Sequence, residues 1–260
     1  MEEFLAEARK QGLEVNWSKT LAADLEGKGR RPLRVLTTGG MAKEVKYVQH
    51  FKYLGRRFGG GGDEALQARI QAAWGQFWRH KAALLEQGVP QVTRLKLLDV
   101  LVAPVLLFAC ESLEQTRQQL DQIRKTRRQM QKRVLGWRFI GGGGADDEEP
   151  LGYDAWIQHA TSKLEEMVDV RGLKRWEENA INAKWRWAGH VLRRLGDRPV
   201  LQVLTWRPQG LIRKNRGAPT RRWGHSFARL IGEDWQAATA DREEWRFTGF
   251  RAIEAYRCRY

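Results

Sequence analysis

The chain has 260 residues, 42% of them hydrophobic and 12 of them Trp, enough apolar bulk to build a core and to exclude wholesale disorder. Lys and Arg number 46 against 31 Asp and Glu, a formal net charge of +15 that favours a polyanionic partner, nucleic acid or an anionic membrane surface. Two cysteines, Cys110 and Cys258, support neither a disulfide framework nor a cysteine-based zinc site. The acidic opening stretch has no apolar run of the secretory kind, and the longest apolar run, 97–110, is broken by Asp99 and Pro104 and is too short for a bilayer. The expected location is intracellular, the nucleus included.

In chain order, Phe4, Leu5 and Ala8 predict a short helical stripe closed by Gly12. Residues 13–17 alternate like a strand, and 18–20 read as a turn. Two more strands are expected over 33–37 and 45–54, bounded by Lys28-Gly29 and Gly39-Gly40. The glycine quartet 59–62 leads to Asp63, read as the cap of a first helix with the stripe Leu66, Ile70, Ala73, Trp74 and Phe77, ended by Gly88 and Pro90. A second helix from Val92 carries Leu95, Leu98, Leu101 and Val105 and is kinked by Pro104. Ser112 with Gln115 predicts a capping box for a third helix, striped with Leu113, Leu120, Ile123, Met130 and Val134 and stopped by Gly136.

A second glycine quartet, 141–144, runs into Asp146, Asp147, Glu148 and Glu149, a composition that reads as a solvated linker and marks a domain boundary. Asp154 is expected to cap a helix to Met167, and a longer helix carries Leu173, Trp176, Ile181, Trp185, Ala188 and Leu192. Residues 207–222 hold Arg207, Arg213, Lys214, Arg216, Arg221 and Arg222 with no acid, kept irregular by Pro208, Gly210, Gly217 and Pro219. One last helix is expected from Trp223. The fold class is therefore mainly α with a small N-terminal β element.

Several segments, in this order, point to one family. Gly12-Leu13-Glu14-Val15-Asn16 with Lys19-Thr20 is similar to a GLxxNxxKT palm segment, and Phe51-Lys52-Tyr53-Leu54-Gly55 to an FKYLG primer grip. Residues 104–111 resemble PVLLYGAE, 133–136 RILG, 184–193 RxRWLGHVLR, and 216–219, more loosely, a GRP turn. Together they resemble the reverse transcriptases of non-LTR retrotransposons (LINE-type) over residues 12 to about 225. The resemblance implies a palm remnant with a primer-grip-like hairpin at 1–58, a thumb-like helical domain at 59–140, the linker at 141–150 and a helical, basic, nucleic-acid-binding region at 151–260. In that family the catalytic Tyr-x-Asp-Asp lies upstream of the segment at Gly12. The chain is thus expected to lack it, and to be no polymerase by itself. The Mg²⁺ of polymerisation would belong to the full-length enzyme, and no cofactor is expected here.

The residues expected at nucleic acid follow. The hairpin offers Phe51, Lys52, Tyr53 and Gly55, an aromatic beside a tight turn. On the third helix Arg117, Lys125, Arg128 and Lys132 fall within roughly 80° of arc, beside the apolar stripe. Lys184, Arg186, His190 and Arg193 come from the RxRWLGHVLR-like segment, although a lone His on such a helix also reads as a core or cap residue. Arg213, Lys214, Arg216, Arg221, Arg222 and Trp223 complete the set, cations beside an aromatic in the manner of single-strand binders. Of Trp185 and Trp187, two apart, one is core and one is available for stacking. The acids at 146–149 are no metal cluster, and the histidines, His50, His80, His159, His190 and His225, are scattered without ligand spacing. The expected activity is sequence-tolerant binding of RNA or an RNA–DNA hybrid, with a separate polymerase chain as a further partner and no membrane. The rival reading is a domesticated scaffold whose helices bind a protein.

Overall fold

The computed structural model describes residues 6–8, 10–23, 33–36, 42–53, 55–58, 61–139, 152–194 and 222–258. The expected linker at 141–150 and the basic stretch 207–221 lie outside the described residues. The chain is mainly α with a small N-terminal β element, and it divides into two compact units, 1–67 and 68–260.

In the first unit, Gly12 closes the opening turn with φ +70°, and the Leu13 amide donates to the Ala8 carbonyl at 2.9 Å. Residues 13–16 are not the expected strand. Asn16 instead organises a turn, accepting from the Ser18 hydroxyl and the Lys19 amide, and the strand begins after it as β1 (Leu21–Ala23). β2 (Leu33–Leu36) pairs antiparallel, and β1 parallel, with the central β3 (Ala42–Val48). Val45 is buried there, with Val15, Trp17 and Ala22 packed on it. The expected long strand over 45–54 breaks at Gln49-His50. β4 (Phe51–Tyr53) then pairs with β5 (Arg56–Phe58), with φ +78° at Gly55 before the second strand.

Helix α1 (Gly61–Arg79) starts three residues earlier than expected, so Asp63 lies in its first turn beside Glu64 and not at the cap. Leu66, Ala73 and Phe77 are buried as the stripe requires. The helix ends at Arg79, and the short α2 (Lys81–Leu85) carries the chain to the break at Gly88 and Pro90. α3 (Gln91–Leu101) is interrupted just before Pro104, which fits the first turn of α4 (Ala103–Leu106) because its missing N–H is not needed there.

The third predicted helix is α5 (Arg117–Val134), and its capping box lies four residues beyond the expected one. Thr116 accepts from the Gln119 amide while the Gln119 side chain accepts from the Thr116 amide. Ser112 sits in a 3₁₀ turn, bonded to the Ala109 carbonyl. Gly136 stops α5 at φ +74°.

α6 (Tyr153–Val170) starts from Gly152, with Asp154 in its first turn and not at its cap; α7 (Trp176–Arg193) follows. In place of one C-terminal helix there are three: α8 (His225–Ile231), α9 (Trp235–Ala238) and α10 (Arg242–Arg257), separated at Gly232 (φ +120°) and by an Asp241 cap. α7 is the axis of the second unit. Asp99 on α3 accepts from the Trp176 indole at 2.7 Å and the Lys174 amide at 3.1 Å. On the opposite side Trp185 donates to Thr248 and Trp245 donates to the Trp185 carbonyl. Gly189 and Gly249 let α7 and α10 approach: a Cβ at Gly189 would lie 2.6 Å from the Trp245 ring. Helices on both sides of 141–150 thus share one core.

Candidate nucleic-acid interface

The cationic side chains of α5 divide by partner. Arg127 is completely buried. Its Nε and Nη2 donate to Glu177 at 3.3 and 3.1 Å, Nη2 to Glu165 at 2.7 Å, and Nη1 to Gln131 at 3.0 Å. Burial alone would raise the Glu165 carboxyl, but Arg127, Arg128 and Arg175 crowd it and hold it down at about 2. Arg128 donates to Glu165 at 2.6 Å and Lys132 to the Thr161 hydroxyl at 2.8 Å. The face expected to follow phosphates is therefore covered by α6 at Arg128 and Lys132. Lys125 stays exposed, and Arg117 is half-buried.

The RxRWLGHVLR-like segment turns out partly structural. Lys184 is buried, ion-paired with Glu114, and donates to Ser226 Oγ at 2.8 Å; its Nζ lies 4.8 Å from the Phe227 ring centre. Burial pushes its pKa down, against the pull of Glu114. A buried, paired lysine is not a phosphate ligand. Arg193 donates to the Thr239 carbonyl at 3.0 Å, which ties α7 to the chain before α10. Arg186 and His190 are exposed, so His190 is not a core residue; it lies in the last turn of α7, where a cation complements the helix end. Trp185 is the core member of its pair, and Trp187 meets Trp223 edge-on at 5.1 Å. Trp223 donates to the Glu111 carbonyl at 2.7 Å and packs against Phe227, so it is part of the fold and not an open stacking surface.

Arg222 is exposed, while Arg213, Lys214, Arg216 and Arg221 lie outside the described residues. In the first unit the hairpin presents Lys52 to solvent, with Phe51 half-buried and Gly55 at the turn before β5; Tyr53 occupies the last position of β4.

A surface not picked out from the sequence lies at the C-terminal end of α5. Trp74 and Trp78 on α1, one helical turn apart, stack at 6.3 Å and 26°. The exposed Arg133 guanidinium lies 5.7 Å from the first ring centre and 5.1 Å from the second. Trp78 is 45% exposed. On the other side of α5, Lys132 Nζ lies 5.9 Å from Trp156, and Lys163 Nζ lies 5.9 Å from Trp137. Tyr153 and Phe139, both exposed, join Trp156 in a ring cluster. The available signal was Trp74 and Trp78 at i, i+4, the second of them off the apolar stripe. Among the described residues, no group of three His, Cys, Asp or Glu is placed to hold a metal ion, and no helix is long and apolar enough to cross a membrane.

The comparison with known proteins points towards a transposon-related origin. The chain is 24% identical over 258 residues, 94% of its own length and 85% of the relative's, to the transposon-derived protein F52C9.6 of Caenorhabditis elegans, itself uncharacterized. No protein-family model matches the chain. No solved structure matches it.

Proposed function

We propose that the chain is the end-of-palm, thumb and C-terminal part of a non-LTR retrotransposon reverse-transcriptase-like protein, and that it holds RNA or an RNA–DNA hybrid with little regard for sequence. The observation that carries the binding is Arg133 over the stacked Trp74–Trp78 pair, on an exposed face of a chain with net charge +15. Aromatic faces with neighbouring cations hold single strands by stacking and charge, and every base has a face to offer. The FKYLG hairpin and the transposon-derived relative support the lineage. These 260 residues contain no Tyr-x-Asp-Asp, so the chain by itself binds and does not polymerise; Mg²⁺ and catalytic carboxylates would come from a separate polymerase chain. A nuclear location belongs to the same proposal. The test is titration with two unrelated single-stranded RNAs over a range of salt. Similar affinities that weaken steeply with salt are expected; no binding at low salt overturns the reading.

One observation favours the scaffold reading. Phe247 and Phe250 on α10 are exposed and three residues apart, hence on one side of the helix, as a protein-docking face would be.

A further inference from the structure

Two ring clusters flank the C-terminal end of α5. On the α1 side, Arg133 covers the Trp74–Trp78 pair. On the α6 side, Tyr153 and Trp156 stack at 6.3 Å and 30°, and Phe139 meets them edge-on at 5.4 and 5.7 Å. Tyr153 is 58% exposed and Phe139 39%. Lys132 and Arg133 are consecutive, so they leave the helix about 100° apart, Lys132 towards Thr161 and Trp156, Arg133 towards the two indoles. The clusters are thus separated by the thickness of a helix, about 10 Å. The charge between them is one-sided. Residues 129–139 contain Lys132, Arg133 and Arg138 and no acid, and Asp154 is the one acid over 152–164. Lys132 is committed to Thr161, but Arg133 and Arg138 are exposed, as is Lys163 over the Trp137 ring. The carbonyl end of α5, its negative pole, is closed by the Gly136 and Trp137 amides, which donate to Arg133 and Lys132 at 3.1 and 2.9 Å.

We propose that a single-stranded stretch of RNA crosses the end of α5, with one base on Trp78, another on the exposed Tyr153 ring, and the phosphates between them on Arg133 and Arg138. The crossing rests on the nucleic-acid reading above and narrows its ligand. A ring platform takes a base face that is not already stacked. Inside a duplex both faces of every base are occupied, so a hybrid meets the two clusters only with its ends. At about 3.4 Å per stacked nucleotide, the gap is three steps wide, so roughly four nucleotides reach both clusters and two reach one at a time. Tyr153 and Arg138 are the residues that this crossing adds to the Trp74–Trp78 surface.

The test is fluorescence titration of the full chain with dodecauridylate, diuridylate and a blunt twelve-base-pair RNA–DNA hybrid. Trp78→Ala and Tyr153→Ala are each expected to weaken dodecauridylate binding about 5- to 150-fold, the loss of one stacked base. Diuridylate reaches one cluster at a time, so at least one of the two variants is expected to bind it within about twofold of the parent. The hybrid is expected to be indifferent to Tyr153→Ala. Arg138→Gln, a change at an exposed side chain beyond the helix, is expected to flatten log K against log salt by about 0.7 for dodecauridylate, and it tests the crossing where a ring variant fails to fold. Unchanged dodecauridylate binding by Tyr153→Ala, or an unchanged slope in Arg138→Gln, overturns the crossing and leaves the Trp74–Trp78 surface standing. A hybrid as sensitive to Tyr153→Ala as the single strand overturns the choice of a single strand. A parent chain that binds no dodecauridylate at low salt loses the nucleic-acid reading as well.

Discussion

Arg127 reaches the Glu177 carboxylate with two nitrogens, Nε at 3.3 Å and Nη2 at 3.1 Å, though both side chains are buried. The pair joins α5 to α7, and Glu165 adds α6. A buried pair is worth little against an apolar replacement, but breaking it leaves an unsatisfied charge. Arg127→Ala is expected to cost about 3–5 kcal/mol by urea denaturation, and Arg127→Met with Glu177→Leu to recover much of that. Equal losses in the single and double variants would contradict the assignment.

The same network sets an acid limit. The Glu165 carboxyl is held at about 2 in the fold, below its ordinary 4.5. With a depressed folded value, its contribution is complete above the ordinary carboxylate range and is lost as pH falls from there towards 2. Glu165→Gln is expected to remove part of the slope of stability against pH in that window, measured by denaturation at several pH values. A slope identical to the parent's would refute the role.

Three small-residue positions give opposite signs. Gly189→Ala places a methyl 2.6 Å from the Trp245 ring and 2.7 Å from Arg193 Nη1, and is expected to cost about 1–3 kcal/mol. Gly75→Ala, on α1 with nothing within 4 Å, is expected to stabilise by about 0.5–1 kcal/mol. Ala109 has φ +56°, the left-handed region, so Ala109→Gly is expected to stabilise by about 1 kcal/mol. Thermal melts of the three variants check all the signs together.

How much of this was legible depends on which force decided each feature. The apolar stripe of α5 and its stop at Gly136 were readable, because burial and a positive φ leave marks in one segment. The cap was misread by four residues, because Ser112-x-x-Gln115 and Thr116-x-x-Gln119 have the same local grammar. Only the tertiary placement of Ser112 in a 3₁₀ turn separates them. Lys184 resembled a phosphate ligand because its partner, Glu114, is 70 residues away in sequence. Ala109 stands where the PVLLYGAE segment has Gly, and its φ of +56° explains why Gly suits that place.

The two thiols differ sharply. Cys110 is buried, and burial, with Glu111 beside it, raises its pKa to about 12, whereas Cys258 is exposed. Since the thiolate is the nucleophile, iodoacetamide near neutral pH is expected to label Cys258 and spare Cys110 until denaturant is added. Equal labelling of both in the folded protein, read by mass spectrometry, would contradict the packing around Cys110.

The nucleic-acid surface separates stacking from charge. Trp78→Ala is expected to weaken RNA binding by about 1–3 kcal/mol with little change in salt dependence. Changing Arg213, Lys214, Arg216, Arg221 and Arg222 to Gln is expected to flatten log K against log salt by roughly 2 to 3.5 units, at about 0.7 per phosphate contact. Unchanged affinity in both variants would remove both surfaces from consideration.

The bonds from Asp99 to Trp176 and from Arg127 to Glu177 cross from one side of residues 140–151 to the other. Covalent continuity through that interval is thus not what joins the halves of the second unit. A single nick there would leave one particle in solution, and the halves, expressed as separate chains, have what a self-assembling split protein needs: the first carries the buried Asp99 and Arg127, the second the buried Trp176 and Glu177, and each of these groups finds a partner across the gap.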